Sequence, residues 1–92
     1  MLKKINEGGV ESDTGFSIQI TGSDIMEYRE NDRVVRINLG YNPQNSTVNI
    51  YVSKISRWNS LETQLISNIE KTIIADNIKS AVKLLTGNFQ IL

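Results

Sequence analysis

Residues 25–39 read Ile25-Met26-Glu27-Tyr28-Arg29-Glu30-Asn31-Asp32-Arg33-Val34-Val35-Arg36-Ile37-Asn38-Leu39. Two alternating runs flank Asn31-Asp32, and both residues tolerate the positive φ that a two-residue type I′ turn needs. The stretch therefore predicts a β-hairpin whose register can be checked. A two-residue loop pairs Glu30 with Arg33, Tyr28 with Val35, Glu27 with Arg36 and Met26 with Ile37. Met26, Tyr28, Val35, Ile37 and Leu39 then share one face, and Glu27 opposes Arg36 on the other. A slip of one residue destroys both agreements.

The pattern extends to either side. Upstream, Phe16, Ile18 and Ile20 alternate with Ser17, Gln19 and Thr21 as in a half-buried strand, and Gly22-Ser23-Asp24 supplies a turn. Downstream, residues 40–46 hold the only proline and read as a loop, followed by a fourth alternating strand from Thr47 to Ser53 with Val48, Ile50 and Val52 inward. Residues 1–15 carry Gly8, Gly9 and little periodicity. They read as a loose lead-in in which Leu2 and Ile5 touch the body.

The C-terminal third changes period. Ser67 followed by Glu70 forms a capping box, and Gly87 stands where a left-handed residue ends a helix. Between them Ile69, Ile73, Ile74, Ile78, Ala81, Val82 and Leu85 recur at spacings of three and four, read as one apolar stripe. Leu61 and Leu65 point away from that stripe, so residues 59–66 read as a separate turn or short helical piece. Residues 88–92 read as a short edge strand or a packed-down tail. The expected architecture is a single α+β domain over residues 1–92. It has a four-stranded antiparallel meander over 16–53, a connection over 54–66, and a helix over 67–87 packed on one face. Ile73, Ile74, Ile78, Val82 and Leu85 are the expected helix contribution to the core, with Trp58 as a cap beneath it. Ser17, Gln19, Glu27, Arg29, Arg36, Asn38, Asn49, Tyr51 and Ser53 are expected on the uncovered face.

Composition removes several classes of chemistry. The chain has no cysteine and no histidine, which excludes disulfides, thiol nucleophiles, Cys/His zinc sites and a histidine base. Ten basic and ten acidic side chains cancel, so no global field draws the chain to nucleic acid or an anionic membrane. The balance is uneven along the chain. Residues 1–32 hold three basic and seven acidic side chains (net −4), and residues 33–92 hold seven and three (net +4). No signal peptide and no membrane-spanning run is legible, and a cytoplasmic protein is expected. No glycine-rich loop precedes a strand–helix unit, and Ser53, Ser56 and Ser60 have no base to activate them. The expectation is a protein without enzymatic activity, cofactor or metal.

Four stretches together resemble the bacterial polymorphic-toxin immunity proteins of immunity protein family 74, which act in contact-dependent inhibition. They are the first strand ending Ile18-Gln19-Ile20-Thr21; Tyr28-Arg29 followed by Arg33-Val34-Val35-Arg36-Ile37; Tyr51-Val52-Ser53-Lys54-Ile55-Ser56-Arg57-Trp58; and the helix running Ile73 to Leu85. The hairpin turn is Asn-Asp where that family's pattern has glycine, no proline follows Trp58, and the loop over 40–46 is longer. The resemblance implies a cytoplasmic antitoxin that occludes a cognate toxin domain, a nuclease for many toxins of this kind, by stoichiometric binding. On that reading Glu27, Glu30 and Asp32 face a basic toxin cleft, with Arg29, Arg36 and Tyr51 as anchors. Direct nucleic-acid binding is not expected, and monomer and homodimer both stay open. A generic protein-binding module and, third, a small nucleic-acid-binding domain are the other readings.

Overall fold

The computed structural model describes residues 1–58 and 65–92. Its strands are β1 (Leu2–Asn6), β2 (Gly9–Ser12), β3 (Phe16–Thr21), β4 (Ile25–Glu30), β5 (Arg33–Asn42), β6 (Thr47–Ile50) and β7 (Asn88–Ile91). They lie side by side in chain order. A single 3₁₀ turn (Val52–Lys54) follows β6, and helix α1 (Asn68–Val82) precedes β7. The expected four-stranded meander is thus corrected to a seven-stranded mixed sheet, curled as a half-barrel, with one helix.

The β4–β5 hairpin has the register read from the sequence, including Glu27 opposite Arg36 and Tyr28 opposite Val35. Asn31 alone takes a positive φ, 56°, so the turn differs from the type I′ form in which both central residues do. Strand β5 is ten residues long and serves two ladders. Residues 33–38 pair with β4, and residues 39–42 pair with β6. Passing one strand between two ladders curls the sheet.

Three strands lie outside the meander. Residues 1–15, expected as a loose lead-in, form the β1–β2 hairpin, with the Asn6 side chain accepting the Gly8 N–H at 3.0 Å to close its turn. These strands are four and five residues long, and β1 has exposed side chains on both faces. Only the adjacent Gly9 and Val10 are buried there, so no period of two is legible. Strand β7 pairs parallel to β6, Ile50 opposite Ile91. A parallel neighbour needs a long crossover, and α1 provides it.

The helix begins as expected. Ser67 Oγ accepts the Glu70 N–H, and Glu70 Oε1 accepts the Ser67 N–H, both at 3.1 Å. It ends at Val82, before the predicted Gly87, which takes a φ of 123° beyond a further turn. The apolar stripe is narrower than expected. Ile74, Ile78, Ala81, Val82 and Leu85 are buried, whereas Ile69 and Ile73 are 75% and 48% exposed. At about 100° per residue, Ile73 stands roughly 100° and Ile69 roughly 140° from Ile74, outside the arc that one sheet covers. Ile73 is therefore corrected from core to surface. Trp58 is fully buried and stands between helix and sheet. Its indole N–H has no acceptor among the described residues. The turn or helical piece expected over 59–66 lies outside the described residues except at its end, where Ile66 is buried and Leu65 bridges to Arg57. No described helix is long and apolar enough to cross a membrane.

Candidate functional site

Alternation sorts the charges of the central hairpin onto opposite faces of the sheet. Glu30 and Arg33 share the inner face with Tyr28 and Val35; Glu27, Arg29 and Arg36 stand on the outer face. The two groups have different partners.

On the inner face, Arg33 joins sheet to helix. Its NH2 group donates to Glu30 Oε2 at 3.0 Å and its NH1 group to Glu70 Oε2 at 3.2 Å. Its guanidinium lies 4.3 Å from the centroid of the Trp58 ring. The Tyr28 hydroxyl donates to Glu30 Oε1 at 3.1 Å and accepts from Asn77 Nδ2 at 2.8 Å. Phe16 stacks on Tyr28 and Trp58 tilts against it, with centroids 5.9 and 6.4 Å apart. Burial pushes the Tyr28 phenol well above its ordinary pKa, and the nearby Glu30 charge adds to this. The Ser67 backbone N–H, helped by Arg33, holds the Glu70 carboxyl below the usual range. Two bonds of this network, Arg33 to Glu70 and Asn77 to Tyr28, hold the helix on the sheet.

On the outer face, Glu27 lies between two arginines, 3.6 Å from Arg29 and 3.7 Å from Arg36. Both arginines are more than half exposed. Arg36 also borders a recess of about 230 Å³ that Asn38, Tyr51, Lys54, Ser56 and Arg57 help to line. Tyr51 packs closely against Gly40, where a Cβ would sit 2.8 Å from the Tyr51 hydroxyl. Lys54 Nζ sits over the Tyr51 ring, 5.1 Å from its centroid. Among the described residues, three cations and no carboxylate line this recess, a lining that suits an anionic group.

Of the six residues expected to form the contact surface, the structure brings Glu27, Arg29, Arg36 and Tyr51 to one side. Glu30 is on the inner face, paired with Arg33, and Asp32 stands exposed in the turn. The three carboxylates therefore make no single acidic patch. Lys54 and Arg57 complete the recess: Lys54 closes the 3₁₀ turn after β6, and Arg57 follows it at the bridge to Leu65. Arg33 and Glu70 had a signal in the sequence: the hairpin register already sets Arg33 beside Glu30 on the core face. Among the described residues, no group of three carboxylates is close enough to hold a metal ion.

Set against protein families, curated proteins and solved structures, this chain matches none.

Proposed function

We infer that this chain is a protein-binding domain that recognises its partner through the outer sheet face, and that the partner is a bacterial toxin domain neutralised in the cytoplasm by stoichiometric binding. The observation that carries the binding surface is the continuity of the Glu27–Arg29–Arg36 group with the basic recess through Arg36. An exposed ladder of both signs next to a cationic hollow gives a directional pattern, and such patterns set partner choice and association rate. Tyr51, packed against Gly40 with Lys54 over its ring, supplies an aromatic contact. The recess carries positive charge, so the complementary groups on the partner are carboxylates. This differs from an acidic hairpin filling a basic cleft. The toxin assignment is supported by the four stretches of sequence resemblance, and nuclease activity of the toxin by the same resemblance.

A second reading has its own observation. Three cations beside an accessible tyrosine also suit a phosphate next to a stacked base. Binding to single-stranded RNA that falls steeply with salt would favour it.

The deciding experiment is co-expression with the product of the adjacent upstream gene, followed by affinity measurement with the wild-type chain and with Arg36→Glu/Lys54→Glu. A one-to-one complex weakened by about tenfold or more in the folded double variant supports the reading. Unchanged affinity removes the outer face as the contact surface. Absence of a complex removes the toxin partner.

A further inference from the structure

The last strand leaves one side of the sheet open. Among the described residues nothing pairs with the far side of β7. The direction of its backbone groups follows from its C-terminal neighbour. Leu92 donates its N–H to Ile50 O, and its carbonyl accepts from the Ser53 N–H, both at 2.9 Å. In a parallel ladder alternate residues face the same neighbour. Gln90 therefore faces β6 as Leu92 does, and Phe89 and Ile91 turn their N–H and C=O groups to the open side.

Beside that edge runs a cleft of about 510 Å³ between β7 and the C-terminal half of α1. Phe89 and Ile91, both half-buried, form one wall, and Val82 lies at its floor. Lys79 and Lys83, one helical turn apart, form the other wall. No carboxylate lines the cleft, and neither lysine has an ion pair among the described residues. The carbonyl end of α1 contributes about half a negative charge, which two ammonium groups exceed.

We propose that the free edge of β7 and this cleft bind an extended acidic segment of a partner protein by strand addition. Backbone hydrogen bonds to Phe89 and Ile91 hold the segment. Its inward side chains stand two residues apart: an apolar one meets Phe89, Ile91 and Val82, and an acidic one reaches Lys79 and Lys83. A second copy of this chain is the wrong occupant. Its own β7 carries no acid, and symmetric β7–β7 pairing would bring the two lysine pairs together. The proposal concerns a different edge from the outer-face surface and does not depend on it.

The test is selection of the full chain against a phage-displayed random heptapeptide library, with synthetic versions of the selected peptides measured by fluorescence anisotropy. The expected peptides carry Asp or Glu two residues from an apolar side chain. Their affinity falls by about tenfold or more on Lys79→Glu/Lys83→Glu and holds on Arg36→Glu. N-methylating alternate peptide amides abolishes binding in one register and spares it in the other. Ile91→Pro removes an outward amide without touching the β6 ladder, and is expected to abolish binding while folding normally. If that variant does not fold, the lysine variant and the methylated peptides decide. Failure to enrich any peptide overturns the proposal. So does binding that survives both the lysine variant and methylation in either register. A wild-type dimer broken by Ile91→Pro overturns it too, because the edge would then be occupied by a second copy.

Discussion

Two clusters built from the same residue types, glutamate between arginines or arginine between glutamates, stand on opposite faces of one hairpin. Arg33 sits between Glu30 and Glu70 at 3.0 and 3.2 Å, about a quarter exposed and covered by the Trp58 ring. Glu27 sits between Arg29 and Arg36 at 3.6 and 3.7 Å, with both guanidinium groups open to water. The shorter, partly buried pairs hold α1 to the sheet. The longer, exposed pairs contribute little to stability. Charge content is the same in kind; position on the pleat decides which cluster joins helix to sheet and which lies on the outer face.

The comparison is broken most directly at Arg33. Arg33→Ala leaves Glu30 and Glu70 facing each other without a counter-charge and strips the cover from Trp58. The expected loss is about 2–3 kcal/mol in chemical unfolding. A loss within about 0.5 kcal/mol would place this cluster with the surface pairs. Next in size is the acid limb. Because the folded state holds the Glu70 carboxyl below its ordinary value, its contribution is present above the unfolded pKa of about 4.3 and is lost as pH falls through the lower folded value. Glu70→Gln should therefore unfold with a shallower pH dependence below about pH 4.5, by less than about 1 kcal/mol given its exposure. An unchanged acid limb would mean that its hydrogen bonds to Ser67 and Arg33 add nothing. The smallest effect is expected at Glu27. Glu27→Ala should change stability by no more than about 0.5 kcal/mol, read by the same unfolding experiment. A loss comparable to Arg33→Ala would make the outer cluster a structural one.

A second contrast concerns the two edges of the sheet. Strand β1 carries Lys3 and Lys4 and a register shift before Asn6, devices that discourage pairing with another chain. Strand β7, Asn-Phe-Gln-Ile, has no charge and no shift in its pairing with β6. The charge that guards it lies across the cleft, on α1, at Lys79 and Lys83. A basic strand is then repelled at this edge and an acidic one attracted.

Read alone, the sequence determined the β4–β5 register, the capping box at Ser67 and Glu70, and the burial of Trp58, Ile74, Ile78, Val82 and Leu85. Each rests on a local rule: period two over six residues, a four-residue hydrogen-bond motif, or apolar spacing within one helical arc. The same register also placed Glu30 and Arg33 on the core face, so grouping Glu30 with Glu27 as one acidic patch went against the pleat. Other features had no local signal. Strands β1 and β2 are too short for alternation to register, and of the two readings of residues 88–92 the structure takes the edge strand; all three pair with backbone groups that neighbouring strands offer. The sharing of β5 between two ladders, the placing of Lys54 and Arg57 around Tyr51, and the cleft between α1 and β7 all depend on how distant segments meet. Only the tertiary structure decides these, since sequence spacing carries no information about side chains that approach from different elements.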